Sequence, residues 1–173
     1  MKKHKNYFKG KILHVATKSV RLPNGHVANI DIVKHPGAVL IVPLFSNNRV
    51  ILLRQYRPVI KKYIYELPAG TLEKGESPVA CAKREIIEET GFSAKRLSRL
   101  SEIIPVPGYS TEKIFIYKAE DLVKTEQLCQ KDEVIETFVF TKRQIQKMLK
   151  NGKIIDAKTI CGFALCGWLK EVA

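Results

Sequence analysis

The sequence has no apolar run long enough to cross a bilayer. Its longest, Ala38–Phe45, is interrupted by Pro43 and falls far short of the ~20 residues a spanning helix needs, so no membrane partner is expected. The basic start, Met1-Lys2-Lys3-His4-Lys5-Asn6, leads into no signal-peptide core, and the chain reads as cytoplasmic. Its four cysteines (Cys81, Cys129, Cys161, Cys166) form no CxxC pair, which argues against a zinc site or a disulfide framework and for reduced thiols. Internal repeats, low-complexity stretches and Gly/Ser/Pro-rich linkers are absent as well, so any domain boundary must be soft. Acid is scarce: 17 acidic against 30 basic residues leave a net charge of +13, a field that attracts nucleotides, nucleic acids or other anions without choosing among them. What remains is ordinary globular usage, 173 residues with 45% hydrophobic and 27% charged, enough for one sizeable core.

The first thirty-five residues read as β, with a hairpin about Pro23-Asn24-Gly25, because Asn-Gly tolerates the positive φ of tight hairpin turns. Val-, Ile- and Leu-rich runs at 38–45 and 49–56 flank Ser46-Asn47-Asn48 and predict a second hairpin. Further extended segments are expected at 63–67, 96–105, 113–119 and 134–140. A helix should start at Ser77-Pro78 and stop at Gly91; a second should follow Thr141 over Lys142–Lys150; a third should follow Asp156 and run from 157 to about 169. The pattern is that of a mixed α/β domain behind a small β segment.

The first helix contains Arg84-Glu85-Ile86-Ile87-Glu88-Glu89. At 100° per residue, Glu85, Glu88 and Glu89 project within about 100° of one another. Three like charges on one face repel unless something positive sits among them, and carboxylate oxygens suit hard divalent cations, Mg²⁺ above all where phosphate is also a ligand. The alternative is a solvated acidic face, less expected in a chain with a +13 excess.

The loop before the helix, Gly70-Thr71-Leu72-Glu73-Lys74-Gly75-Glu76, resolves the choice. From Gly70 to Phe92 the chain reads G-x5-E-x7-R-E-I-I-E-E-T-G-F, which resembles the Nudix box of the Nudix hydrolases at every defining position. Seven fixed residues at roughly 5–7% usage make a chance match of order one in a million. The resemblance implies an α/β Nudix fold, an α/β/α sandwich around a mixed sheet, with two or three Mg²⁺ or Mn²⁺ ions on the box. It further implies hydrolysis of a nucleoside diphosphate linked to another group. Glu85 and Glu89, with the Ala69 carbonyl, match the principal metal ligands. Glu88 matches a ligand or a ligand-orienting carboxylate, and Arg84 with Glu76 matches the pair that braces loop and helix.

Beyond the box, Val106-Pro107-Gly108-Tyr109-Ser110-Thr111-Glu112 resembles the proline loop of the ADP-ribose pyrophosphatase branch. His35-Pro36-Gly37, Leu53-Arg54-Gln55-Tyr56-Arg57-Pro58 and Tyr65-Glu66-Leu67-Pro68-Ala69-Gly70 extend the likeness over roughly residues 20 to 150. The implied substrate is ADP-ribose or a related nucleoside diphosphate sugar, with GDP-mannose the nearest alternative. Arg57 and Glu66 match nucleotide contacts, the alternative being a cross-strand ion pair. Glu112 matches a carboxylate near the terminal ribose, and Tyr109 either stacks on the ligand or packs in its turn. The catalytic base is expected at Glu133, with Asp132 and Glu136 as alternatives. Residues 1–35 match a segment that in this branch packs across a homodimer, ahead of a hydrolase domain at 36–173; the alternative is that they extend the domain's own sheet. An RNA-directed role, by cap hydrolysis or basic binding, is the rival reading. Scattered lysines and the lack of an RNA-stacking motif disfavour a nucleic-acid partner.

Overall fold

Residues 39–42 have no exposed side chain, and the strand that carries them organises the chain. The computed structural model describes residues 5–10, 12–126 and 134–169. In chain order these form β1 (Lys5–Lys9), β2 (His14–Arg21), β3 (Val27–Lys34), β4 (Ala38–Phe45), β5 (Arg49–Arg57), β6 (Lys62–Glu66) and β7 (Ala69–Thr71). There follow α1 (Pro78–Thr90), β8 (Phe92–Ile103), β9 (Ile114–Lys124), β10 (Ile135–Thr141), α2 (Lys142–Lys150) and α3 (Ala157–Leu165). The main sheet runs β10-β5-β4-β9-β8, with β6 beside β5 and β7 beside β4. It is mixed, because β4 and β9 are parallel while the other pairs are antiparallel.

Side chains alternate across a strand, so β4 feeds two cores. Leu40 and Val42 meet Val50, Leu52, Ile145, Met148 and Phe163 on the face covered by α2 and α3. Val39 and Ile41 meet Cys81, Ala82 and Ile86 of α1 on the other. A strand covered on both faces must be apolar at consecutive positions, which is why this run does not alternate. The product is the expected α/β/α sandwich.

The helix ends follow their local chemistry. Ser77 Oγ accepts the Ala80 N–H at 3.3 Å, and Gly91, at φ 70°, returns its N–H to the Ile87 carbonyl. Thr141 and Gln144 form a reciprocal capping box at the start of α2, satisfying two backbone donors that the helix leaves over. α3 stops at Leu165, four residues short of expectation. Gly167 adopts φ 69° and donates to the Ala164 carbonyl at 3.0 Å, while the Trp168 N–H reaches the Phe163 carbonyl at 2.9 Å. This is a Schellman closure, and the Trp168 ring stacks on Phe163 at 5.5 Å to seal it.

Other boundaries shift for similar reasons. β8 begins directly after α1 at Phe92, and β9 runs on to Lys124, because the two strands pair over most of their length. The first hairpin turns through Pro23, Asn24 and Gly25 as expected: Gly25 N–H bonds the Leu22 carbonyl and Leu22 N–H the His26 carbonyl, a turn in which Pro23 takes the position that suits its fixed φ. β1, β2 and β3 form a three-stranded sheet of their own. That sheet is tied to the 106–112 loop where the Val33 N–H donates to the Tyr109 carbonyl at 2.7 Å and the Thr111 N–H to the Val33 carbonyl at 3.0 Å.

Two substitutions check this account by urea denaturation. Phe163→Ala opens a cavity at a site with no exposure and should cost about 3–5 kcal/mol. Gly167→Ala puts a Cβ on a left-handed backbone and should cost about 1–2 kcal/mol.

Candidate active site

The face of α1 that carries the acids is turned inward. Glu85 is 7% exposed and Glu89 only 2%, so both carboxylates sit where a charge is costly without partners. The Ala69 N–H, on β7, donates to Glu89 Oε2 at 2.9 Å. Gly70 follows, and a Cβ built there would fall 1.7 Å from Glu85 Oε1 and 2.4 Å from its Cγ. The Glu85 side chain therefore occupies the space that any larger residue at position 70 would need.

Arg84 is the cation among these acids. Its Nε and Nη2 each donate to one oxygen of Glu76 at 3.0 Å, while Nη1 reaches Glu85 at 2.7 Å and Glu88 at 3.2 Å. The fork pattern to Glu76 is the strong bidentate geometry that guanidinium allows. Its hydrogen bond to Glu76 outweighs the cost of burial and, with Glu85 adding, raises the Arg84 pKa. Reciprocally, the Arg84 hydrogen bond, against some desolvation and with help from the Glu73 N–H, lowers Glu76 to about 2. Burial, reinforced by Glu85 and Glu76, pushes the Cys81 thiol up to about 12. It remains a protonated core side chain rather than a nucleophile.

A second charged group lies beside the first. Arg57 Nε and Nη2 hold the two Glu66 oxygens at 2.7 and 3.0 Å. They are not opposite one another in the ladder, since Arg57 pairs with Lys62 and Glu66 with Leu53; Arg57 reaches along the strand. Glu66 is 2% exposed and is also bound by Lys158, which in turn pairs with Asp156 at 2.9 Å. Desolvation opposes the charge on Arg57, but the bond to Glu66 and the fields of Glu66, Glu89 and Asp156 prevail and raise its pKa. Arg57 keeps 39% of its side chain exposed, so it is the member of this group that a ligand can reach.

The sequence profile of the NUDIX domain matches residues 34–163. The chain belongs to the Nudix family. It is 36% identical over 154 residues to the ADP-ribose pyrophosphatase of Bacillus subtilis (strain 168), covering 88% of this chain and 83% of that protein. It is 35% identical over 160 residues to the methanol dehydrogenase activator of Bacillus methanolicus, covering 91% and 86%. A solved structure described as an ADP compounds hydrolase superposes with a TM-score of 0.81 at 23% identity, over 96% of this chain and 91% of that one, which speaks for the fold. The protein is thus a Nudix hydrolase, and such enzymes generally need a divalent metal.

The donor set fits that need. Three carboxylates on one helix are hard oxygen ligands of the kind Mg²⁺ and Mn²⁺ take, and two of them are already buried and oriented. Among the described residues no three acidic, histidine or cysteine side chains converge on a single point; Arg84 draws Glu85 and Glu88 toward itself instead.

Other residues of the Nudix reading are placed unevenly. Glu112 sits in the loop tied to β3, 3.9 Å from His35 Nδ1. That nitrogen accepts the Gly37 N–H at 3.1 Å, so the imidazole offers Glu112 no proton from that side. Tyr109 is 58% exposed and does not pack into its turn. Glu133 and Asp132 lie outside the described residues. Glu136 is directed away from α1: Thr137, next to it, bonds the Glu89 carbonyl, whereas Glu136 shares the opposite face with Phe140 and pairs with Arg54 at 3.0 Å. Sequence reasoning missed Lys158. It lies 92 residues from Glu66, and its only local signal is a position two residues past the Asp156 cap.

Two outcomes check the site. Gly70→Ala should displace the Glu85 carboxylate and lower hydrolytic turnover at least tenfold while the melting temperature stays within a few degrees. Glu76 titrates near 4.5 when unfolded and about 2 when folded, so its contribution to stability is complete above pH 4.5 and is lost as pH falls toward 2. Glu76→Gln should flatten the melting temperature against pH across that window.

Proposed function

We propose that this protein hydrolyses the pyrophosphate bond of ADP-ribose, or of a closely related nucleoside diphosphate sugar, giving AMP and ribose 5-phosphate from ADP-ribose. The observation that carries the reading is the adjacency of an acidic group and a guanidinium group on the α1 side of the sheet. Glu85 and Glu89 are buried beside β7, and Arg57 stands within the field of Glu89. One group suits a cation and the other an anion, as a substrate built on a diphosphate requires. The relative named ADP-ribose pyrophosphatase supports the choice of sugar nucleotide.

Glu85, Glu88 and Glu89, with the Ala69 carbonyl, would hold two or three Mg²⁺ ions, or Mn²⁺ in their place. When bound, such ions neutralise pyrophosphate oxygens and acidify water at neutral pH. The chain's own residues do the rest. Arg84, locked by Glu76, keeps the α1 carboxylates parallel and offsets their repulsion. Arg57 presents its guanidinium to the nucleotide, with Glu66 as the buried support that fixes its angle rather than a direct contact. Glu112 faces the terminal ribose from the 106–112 loop, and Glu133 accepts the proton of the attacking water.

The β1–β2–β3 sheet is the surface proposed to pair two copies into a homodimer, as a unit distinct from the hydrolase domain at 36–173. Among the described residues no helix is long and apolar enough to cross a membrane, and the proposed compartment is the cytoplasm.

The test is product chromatography after incubation with Mg²⁺ and a panel of ADP-ribose, GDP-mannose, ADP-glucose, NADH, ATP and capped RNA. AMP and ribose 5-phosphate should appear chiefly from ADP-ribose. Chelation with EDTA should abolish this, and Glu89→Gln should lower kcat by about 10²-fold or more without a change in the far-UV spectrum. Preferred cleavage of capped RNA would transfer the protein to the nucleic-acid reading.

A further inference from the structure

On the sheet face opposite α1, the α2 and α3 cover leaves an aromatic patch partly open. Tyr65 of β6 meets Phe140 of β10 edge-on at 5.8 Å and Phe138 at 6.4 Å. Between this patch and α2 lies a cavity of about 260 Å³, walled by Tyr65 and Phe140 and rimmed by Lys147, Lys153, Gln144 and Asn151. Among the described residues no acidic side chain lines it. Neither lysine forms an ion pair or a side-chain hydrogen bond with any described residue. Gln144 already uses its amide oxygen to accept from Thr141 at 2.8 Å, so what it can offer the cavity is N–H.

Along the segment that builds the α2 side of the cavity the charge has one sign. Residues 137–155 contain Lys142, Arg143, Lys147, Lys150 and Lys153 and no acid, while the nearest acid on β10, Glu136, is held by Arg54. An aromatic wall of two edge-on rings, beside amide donors and two ammonium groups that pair with no described residue, matches a ligand with an aromatic ring at one end and an anion at the other. The volume lies just below the range of ligand pockets, which run from about 300 Å³ upward, and so suits a nucleotide with one phosphate better than a sugar nucleotide with two.

We propose that the cavity between α2 and the Tyr65–Phe140 wall is a second, non-catalytic site that binds a nucleoside monophosphate. It lies on the other face of the sheet from Glu85 and Glu89 and does not depend on what the α1 site hydrolyses.

Calorimetric titration of the full chain in EDTA, with AMP, adenosine and ribose 5-phosphate as probes, tests it. AMP should bind saturably at one site and at least tenfold more tightly than either fragment. Lys147→Ala/Lys153→Ala should weaken AMP at least tenfold, whereas Lys142→Ala/Arg143→Ala, which removes the same charge from α2 outside the cavity, should change it less than twofold. Both double variants should melt like the parent and keep its hydrolytic rate. The proposal is overturned if AMP does not saturate, if either fragment binds as tightly as AMP, if the two double variants lose equal affinity, or if Lys147→Ala/Lys153→Ala leaves affinity unchanged. Failure of the substrate panel would remove the proposed activity but alter none of these readings.

Discussion

Arg84 holds the acidic face of α1 together. Three carboxylates on one helix turn would push one another apart, and two of them are buried, where repulsion is least screened. A single guanidinium touches Glu76, Glu85 and Glu88 at once, linking the loop before the helix to the helix itself. Lysine could supply the charge but not the fork. The burial of Glu85 depends in turn on position 70 having no side chain, and that of Glu89 on the β7 backbone N–H. Loop, strand and helix are thus interlocked around one cation, which fixes Glu76, Glu85 and Glu88 together while the β7 backbone holds Glu89.

The sheet then separates two chemistries. β4 sends alternate side chains to opposite cores, and the same period assigns the residues of β10: Thr137 to the α1 side, Glu136 and Phe140 to the α2 side. Acid and Arg57 gather on the first face. On the second, α2 brings lysines and arginine beside half-buried aromatic rings. The basic excess of the chain is therefore not spread evenly, and part of it stands on the other face of the sheet from the α1 carboxylates.

Local rules carried much of this. The caps of α1 were legible because Ser77, Pro78 and Gly91 act on their own backbone neighbours, and the Arg84–Glu76 contact through the resemblance of 70–92 to the Nudix box. α3 was read too long because Gly167 passes for an ordinary late-helix residue until Trp168 stacks back on Phe163. That contact depends on the core beneath it.

The sequence by itself determined the carboxylate set, its spacing on one helix face, the family and the strand pattern, since each depends on residue type and short-range period. Only the tertiary structure decided which charges distant in sequence meet. Lys158 joins Glu66 across 92 residues, Glu136 turns away from the α1 acids, and α2 closes a cavity against β10. Such encounters are set by sheet order and strand register, which arise from long-range packing that no local window of sequence contains.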